Sequence, residues 1–254
     1  MTYDIGFLGY GFMGKAHASA LDRLQMFFPD APTTNRDVLI GRNEDSVTEA
    51  ADQLGFDRVA TDWRTAVTDV DIFCNLGPNH IHAEPVITAL ESDVHVLCEK
   101  PLASDIGTAI EMRDAARRSN AIAATSFNYR YLPAVQLMKQ LIEEGALGDI
   151  YRVKGRYNQD WLVDPETPWN WRCEKDIAGS GTVGDVGSHT IDLAQWIVGD
   201  IESIVGSLTT HITERSAPDQ DGSRAVTTDD EYLALVKFEN GAEGILVGLR
   251  VATG

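Results

Sequence analysis

Residues 4–17 read DIGFLGYGFMGKAH. The apolar run Asp4–Gly9 predicts a short strand that ends in glycine. Ala16, Ala20, Leu24 and Phe27 recur at helical spacing and predict a helix over Lys15–Phe28. Between them, Gly9-Tyr10-Gly11-Phe12-Met13-Gly14 fits the pattern G-x-G-x-x-G. Alone the pattern is weak, but after a strand and before a helix it marks a pyrophosphate cradle. Gly9 allows the tight turn, Gly11 lets backbone approach the phosphates, and Gly14 lets helix and strand pack closely. Amides at the helix N-terminus then hold the anion. These six residues are expected to bind NAD or NADP.

The pattern continues outward from this unit. A loop is expected over Pro29–Arg36, a strand at Val38–Ile40, and a helix over Glu44–Leu54 that stops at Gly55. Further strands fall at Asp71–Leu76, Val94–Cys98 and Ala121–Thr125, with helices near Ala83–Leu90 and Ser104–Ser119. Strands alternating with helices imply an α/β domain, a doubly wound parallel sheet with helices on both faces, over residues 1–125. At the end of its second strand stand Gly41-Arg42-Asn43. Arg42 can pair with a 2′-phosphate, which permits NADP. It can equally stack on adenine and leave Asn43 to bond the ribose of NAD, so the choice stays open.

After Ser126 the texture changes. A helix is expected over Leu132–Glu144, an alternating strand over Ile150–Tyr157, and a helix over Val186–Val198. Between them, Asp160–Lys175 is rich in Trp and Pro and reads as irregular. Ser203–Thr213, Glu231–Glu239 and Glu243–Ala252 read as long alternating strands. Residues 126–254 are therefore expected to form an α+β domain with an open, mainly antiparallel sheet. The last strand lies close to Gly254, and a sheet ending there would expose an edge. More sheet is expected in a longer parent.

Composition narrows the partners. The chain has 254 residues, 43% of them hydrophobic, which is ample for a buried core. Its formal charge of −18 argues against nucleic acid or an anionic membrane as partner. No apolar run approaches the ~18–20 residues of a membrane-spanning helix. The stretch MTYDIGFLGYGFMG lacks a basic n-region and a cleavage site, so no signal peptide is expected. Six Lys against fifteen Arg, with 39 acidic residues, read as a protein of a salt-rich cytoplasm; the alternative is an ordinary acidic protein. Cys74, Cys98 and Cys173 are odd in number and far apart, which fits reduced cytoplasmic thiols and no zinc site.

Two clusters carry chemistry. Glu99-Lys100-Pro101 follows a buried parallel strand, where residues face the ligand crevice. Lys100 there can donate to a substrate oxygen; a surface lysine paired to Glu99 is the plainer reading of the tripeptide alone. The second cluster is Gly184-Asp185-Val-Gly-Ser-His189-Thr-Ile-Asp192. Asp185, His189 and Asp192 share one face of a regular helix, and His189 suits a general base. The plainer reading is a helix cap and a core histidine. A metal is not expected, because no other clustered ligands support one.

Taken together, GYGFMGKAH (Gly9–His17), PNHIH (Pro78–His82), HVLCEKPL (His95–Leu102), NYR (Asn128–Arg130) and GDVGSHTIDL (Gly184–Leu193) resemble the glucose–fructose oxidoreductase/inositol dehydrogenase (Gfo/Idh/MocA) family. QDWLVDP (Gln159–Pro165) and WNWR (Trp169–Arg172) resemble its sugar and polyol dehydrogenase branch. The resemblance runs in order over nearly the whole chain. It implies a catalytic Lys100, Asp185 and His189, with Asn79, His82 and Glu99 lining the nicotinamide-ribose side. It implies sugar contacts from Asn128, Gln159, Trp161, Arg172, Asp185 and His189. It also implies a homo-oligomer in the full-length form. The activity implied is hydride transfer between the nicotinamide and a secondary alcohol of a sugar, polyol or related compound. The alternatives are a nicotinamide-binding regulator without turnover and an imine or enone reductase. Gly77 departs from the family pattern, in which Thr is common before Pro-Asn, and family members usually continue for roughly a hundred residues more.

Overall fold

Successive residues of the first strand point into different cores. β1 (Thr2–Leu8) sends Ile5 and Phe7 into one apolar cluster and Leu8 into another. β2 (Thr33–Ile40) does the same, with Leu39 on one side and Val38 and Ile40 on the other. A sheet buried on both faces has this signature, and helices must cover both. The computed structural model describes residues 1–218 and 221–253. It divides into two compact units, Met1–Ser126 and Phe127–Gly254; Gly254, the expected end of the second domain, lies outside the described residues.

The first unit adds α1 (Phe12–Phe27), α2 (Glu44–Leu54), β3 (Arg58–Ala60), β4 (Ile72–Asn75), α3 (Ala83–Glu91), β5 (His95–Cys98), α4 (Ile106–Arg118) and β6 (Ala123–Thr125). Its six strands are all parallel, in the order β3-β2-β1-β4-β5-β6. Three expectations are corrected. β2 begins at Thr33, inside the expected loop, because pairing with Thr2–Ile5 gives the polar Thr-Thr-Asn-Arg stretch its hydrogen bonds. β3 was not expected; it is a three-residue edge on Val38–Ile40. α1 buries Gly14 and Ala18, with Leu21 packed beside them, and leaves Ala16, Ala20 and Phe27 exposed. The glycine sets that face: at Gly14 the helix lies too close to Gly9 for a side chain.

The second unit holds α5 (Pro133–Glu143), β7 (Arg152–Asn158), α6 (Lys175–Ala178), α7 (Ser188–Val198), β8 (Ile201–Thr209), β9 (Glu214–Ser216), β10 (Ser223–Ala225), β11 (Glu231–Phe238) and β12 (Glu243–Leu249). The main sheet runs β7-β12-β11-β8. β12, β11 and β8 are antiparallel, while β7 joins β12 in parallel. On β11, Tyr232, Ala234, Val236 and Phe238 face the core under α7, and the residues between them face outward. The β9–β10 hairpin and the short α6 were not expected, since neither carries a periodic apolar pattern. Among the described residues, no helix is long and apolar enough to cross a membrane.

Candidate functional site

The first unit presents a cradle made from backbone. Gly9 has φ +105°, and a Cβ there would meet the Leu76 carbonyl oxygen at 2.9 Å. That is left-handed backbone with no room, so only glycine fits. At Gly14 a Cβ would stand 2.7 Å from the Gly9 carbonyl oxygen. Gly11 is different: it has ordinary φ −71° and open space around its Cβ position. Its surroundings can admit a bulky anion. No side chain caps the N-terminus of α1, so its first amides remain directed outward. Tyr10 packs across Gly41 and Met13 packs on the core, while Phe12 is exposed. The cradle fits a dinucleotide pyrophosphate. At the end of β2, Arg42 is exposed. Asn43 caps α2 by accepting from the Ser46 amide at 2.8 Å, which leaves its Nδ2 to donate elsewhere.

At the end of β5, Glu99 and Lys100 stand as the sequence predicts, but their neighbours were not legible. Glu99 is 5% exposed. Its Oε1 lies 3.0 Å from His17 Nε2, and its Oε2 accepts the Lys100 amide at 3.2 Å. Burial alone would raise the Glu99 pKa; His17, Ser126 and the Lys100 amide outweigh it and hold the carboxyl below its ordinary range. The carboxylate therefore braces the loop carrying the half-buried Lys100. His82 is corrected more strongly. It does not line an open edge: it is 0% exposed. Its Nε2 lies 2.9 Å from the Gly77 carbonyl, and its Nδ1 lies 3.1 and 3.2 Å from those of Pro101 and Leu102. It stands between the loop after β4 and the loop after β5, and a neutral ring donates to one of them. Asn79 is half-buried in a 3₁₀ turn, Asn79–Ile81, just before it.

In the second unit, a single π-helical turn, Val183–Gly187, runs into α7. Asp185 lies in that turn and His189 in the first turn of α7, so the regular helical face expected for Asp185, His189 and Asp192 is broken. Asp192 pairs with Arg130 through both carboxylate oxygens. The His189 ring stacks on Tyr129 at 4.3 Å between centroids. Tyr129 and Tyr157 share a 2.5 Å hydroxyl contact, and burial with that contact pushes the Tyr129 phenol up to about 12. Tyr129 is thus the residue of the Asn-Tyr-Arg motif that reaches His189, while Asn128 is exposed.

The tryptophan-rich segment supplies the polar partner. The Arg172 guanidinium lies 4.4 Å over Trp171 and 6.0 Å over Trp161. Its Nε is 3.6 Å from Asp185 Oδ2. Trp161, Arg172 and Asp185, expected separately, therefore form one cluster, and Trp171 joins it. Gln159 is half-buried, its backbone bonded to Leu249 and Ala252. Beneath the cluster runs a buried network. Asp229 accepts the amides of Gly181 and Val183 at 2.7 and 2.8 Å, which anchors the turn bearing Asp185. Arg250 pairs with Asp230 at 2.8 Å and reaches Thr228 and the Arg172 carbonyl. Only the Asp229-Asp230 pair at the head of an alternating strand hinted at this. A cavity of about 660 Å³ lies between α5, α7 and β7, lined by Met138, Ile142, Leu193 and Ile197. Tyr129, Tyr157, His189 and Thr190 line it too, with Arg152, Lys154 and Arg156 of β7. Among the described residues, no His, Cys, Asp and Glu cluster could hold a metal.

Two family models divide the chain as its fold does. An oxidoreductase family with an NAD-binding Rossmann fold matches residues 3–127, and the GFO/IDH/MocA C-terminal domain matches residues 135–254. The chain belongs to the Gfo/Idh/MocA family. This family member is an NAD(P)-dependent dehydrogenase of the CH–OH class, with its NAD-binding Rossmann fold in the first unit. It is 41% identical over 268 residues to levoglucosan dehydrogenase of Pseudarthrobacter phenanthrenivorans, covering 99% of this chain and 68% of that protein. It is 31% identical to glucose-6-phosphate 3-dehydrogenase of Bacillus subtilis, covering 76% of this chain and 53% of that one. A solved levoglucosan dehydrogenase in complex with NADH and L-sorbose superposes with a TM-score of 0.97 at 40% identity, covering 99% of this chain and 68% of that one.

Proposed function

We propose that this family member oxidises a secondary alcohol of a sugar, polyol or anhydrosugar with NAD or NADP, and that levoglucosan is the first substrate to test. The observation that carries this is the Trp161–Arg172–Asp185 cluster in the unit that also bears His189. Indole faces cover the apolar side of a sugar ring, and Arg172 and Asp185 offer a donor and an acceptor to its hydroxyls. Because Arg172 and Asp185 neutralise one another, the cluster favours an uncharged sugar.

When bound, the nicotinamide supplies the hydride acceptor. The chain supplies the rest. His189 takes the hydroxyl proton, and its stacking on Tyr129 fixes the ring plane. Lys100 donates to the oxygen on which charge develops, and Asp185 orients the substrate. Gly9 to Gly14 hold the pyrophosphate, Arg42 and Asn43 the adenosine end, and Asn79 the nicotinamide ribose. Glu99 and His82 brace that edge from within. A nicotinamide-binding regulator without turnover would give Lys100, Asp185 and His189 no task. The setting is cytoplasmic. A homo-oligomer is part of this reading, and the exposed row of Val205, Leu235 and Ile245 across the outer sheet face provides an apolar contact for it.

The test is reduced-nicotinamide formation in multimolar KCl from levoglucosan, other anhydrosugars, aldoses, inositols and sugar acids, with each dinucleotide. His189→Ala and Lys100→Met are expected to lower kcat by about 10²–10⁴-fold, with NADH affinity unchanged. Unchanged turnover in both variants sinks the reading. Arg42→Ala, assayed with both dinucleotides, decides between them: loss confined to NADP assigns Arg42 to the 2′-phosphate.

A further inference from the structure

Arg215 sits on β9 and is 1% exposed, yet among the described residues no carboxylate pairs with it. A buried cation without a counter-charge is costly unless its N–H groups are satisfied. Here Nη1 and Nη2 are met by three backbone carbonyls of one segment, while the buried Nε has no hydrogen-bond partner among the described residues. Nη2 donates to Leu162 at 2.6 Å, and Nη1 donates to Asp164 at 2.9 Å and Thr167 at 3.2 Å. The sequence explains why that segment needs a donor from outside. Residues 160–171 read DWLVDPETPWNW, and Pro165 and Pro168 bring carbonyls without an N–H of their own. A guanidinium spreads its donors over a rigid fork and can reach carbonyls spaced along a loop; an ammonium concentrates them at one point.

The segment so held bears the sugar-facing cluster at both ends. Trp161 immediately precedes Leu162, whose carbonyl takes the shortest of the three bonds. Trp171 and Arg172 follow Trp169, which is fixed to the same hairpin. The Trp169 amide donates to Ser216 at 2.8 Å, its Nε1 donates to Ala225 at 3.0 Å, and Arg224 covers its ring at 4.8 Å. The β9–β10 hairpin thus grips the segment at 162–169 and leaves 161 and 171–172 to project from its two ends.

We propose that Arg215 is a positioning residue for sugar recognition: through three carbonyl bonds it sets the spacing between Trp161 and the Trp171–Arg172 pair. The proposal rests on the reading of Trp161 and Arg172 as sugar contacts. It predicts a loss in sugar binding without loss in cofactor binding, because the dinucleotide cradle lies in the other unit.

The experiment compares Arg215→Lys, Arg215→Met and Arg172→Ala with the parent chain. KM for levoglucosan and for NAD are measured, together with acrylamide quenching of tryptophan emission. Arg215→Met is expected to raise KM for levoglucosan by about tenfold or more, since a displaced contact of 1 Å can cost more than that. KM for NAD is expected to stay fixed, and Arg215→Lys to fall between. Acrylamide quenching is expected to rise in both Arg215 variants. If Arg172→Ala leaves KM for levoglucosan unchanged, the sugar-site reading fails and the proposal falls with it. If Arg172→Ala raises KM but folded Arg215 variants do not, the proposal alone is overturned. Should Arg215→Met not fold, Arg215→Lys carries the test. Quenching needs no turnover, and unchanged quenching in Arg215→Lys overturns the proposal by itself.

Discussion

The glycine loop of the first unit and the tryptophan segment of the second are held by opposite means. Residues 9–14 are fixed by what is missing. Without Cβ atoms at Gly9 and Gly14, strand, loop and helix close on one another within six residues. Residues 160–173 are fixed by what is added. Arg215, Arg250 and the Asp229-Asp230 pair reach them, or the turn beside them, from tens of residues away. A backbone cradle presents the same amides whatever the surface around it carries, which suits a constant ligand such as a dinucleotide. A side-chain scaffold can be retuned one residue at a time, which suits a site that must tell one sugar from another. The two regions should therefore fail differently when disturbed.

The largest effect is expected at the Arg250–Asp230 pair, whose side chains are 2% and 0% exposed. Removing one partner leaves the other charged, buried and uncompensated, at a cost of about 3–5 kcal/mol. Arg250→Met should lower the unfolding free energy of the second unit by an amount of that order. Asp230 would also keep its amide bonds to His211 and Ile212, so the strand start should stay in place while the Arg172 carbonyl loses a donor. A urea titration followed by tryptophan emission measures this. A stability change below 1 kcal/mol would show that the scaffold is redundant and weaken the contrast between the two regions.

The same contrast explains what was legible in the sequence. The parallel unit was readable because its signals are local: Glu44–Leu54 with Gly55 as stop, and Gly9, Gly11 and Gly14 at fixed spacing. Lys100, Asp185 and His189 are singled out as candidates through short motifs that resemble a family. The scaffold was not legible, because nothing near Arg215 in sequence says that its partners lie at 162, 164 and 167. His82 was misread for the same reason. Its motif placed it beside a ligand, but the burial that closes it off comes from the loop nineteen residues later. Asp185 was placed on a helix face by counting in steps of regular helix, and one π-helical turn defeats that count.

In the first unit, two glycines separate folding from binding. Gly9→Ala forces a Cβ into left-handed backbone against the Leu76 carbonyl and should cost about 1–3 kcal/mol. Gly11→Ala meets nothing within 4 Å at an ordinary φ, so its melting temperature should match the parent. Its NADH affinity should nevertheless fall, since the new methyl occupies the space through which the pyrophosphate approaches. Isothermal titration with NADH beside a thermal melt reads both quantities. Equal behaviour of the two variants in both would refute the division of labour between these glycines.

The smallest effect is a slope. Burial holds the His82 imidazole below its ordinary pKa, even though the Gly77, Leu102 and Pro101 carbonyls and Glu99 all favour the charged ring. The unfolded chain therefore binds a proton at His82 that the native chain resists. The sign follows by linkage: stability is unaffected above about pH 6.5 and declines as pH falls from there toward the lower native pKa. The limiting slope for one proton is about 1.4 kcal/mol per pH unit. Glu99 acts in a separate window, because its lowered native pKa contributes stability that is lost only as pH falls through the carboxylate range. Urea titrations between pH 8 and 5 span the histidine range, and comparison of the parent with His82→Gln isolates His82 from the other five histidines. His82→Gln should flatten the dependence over that interval whatever it does to stability at pH 8. A slope identical to the parent's would mean that the His82 proton is bound equally in both states, and that the brace between Gly77 and Pro101 holds a charged ring.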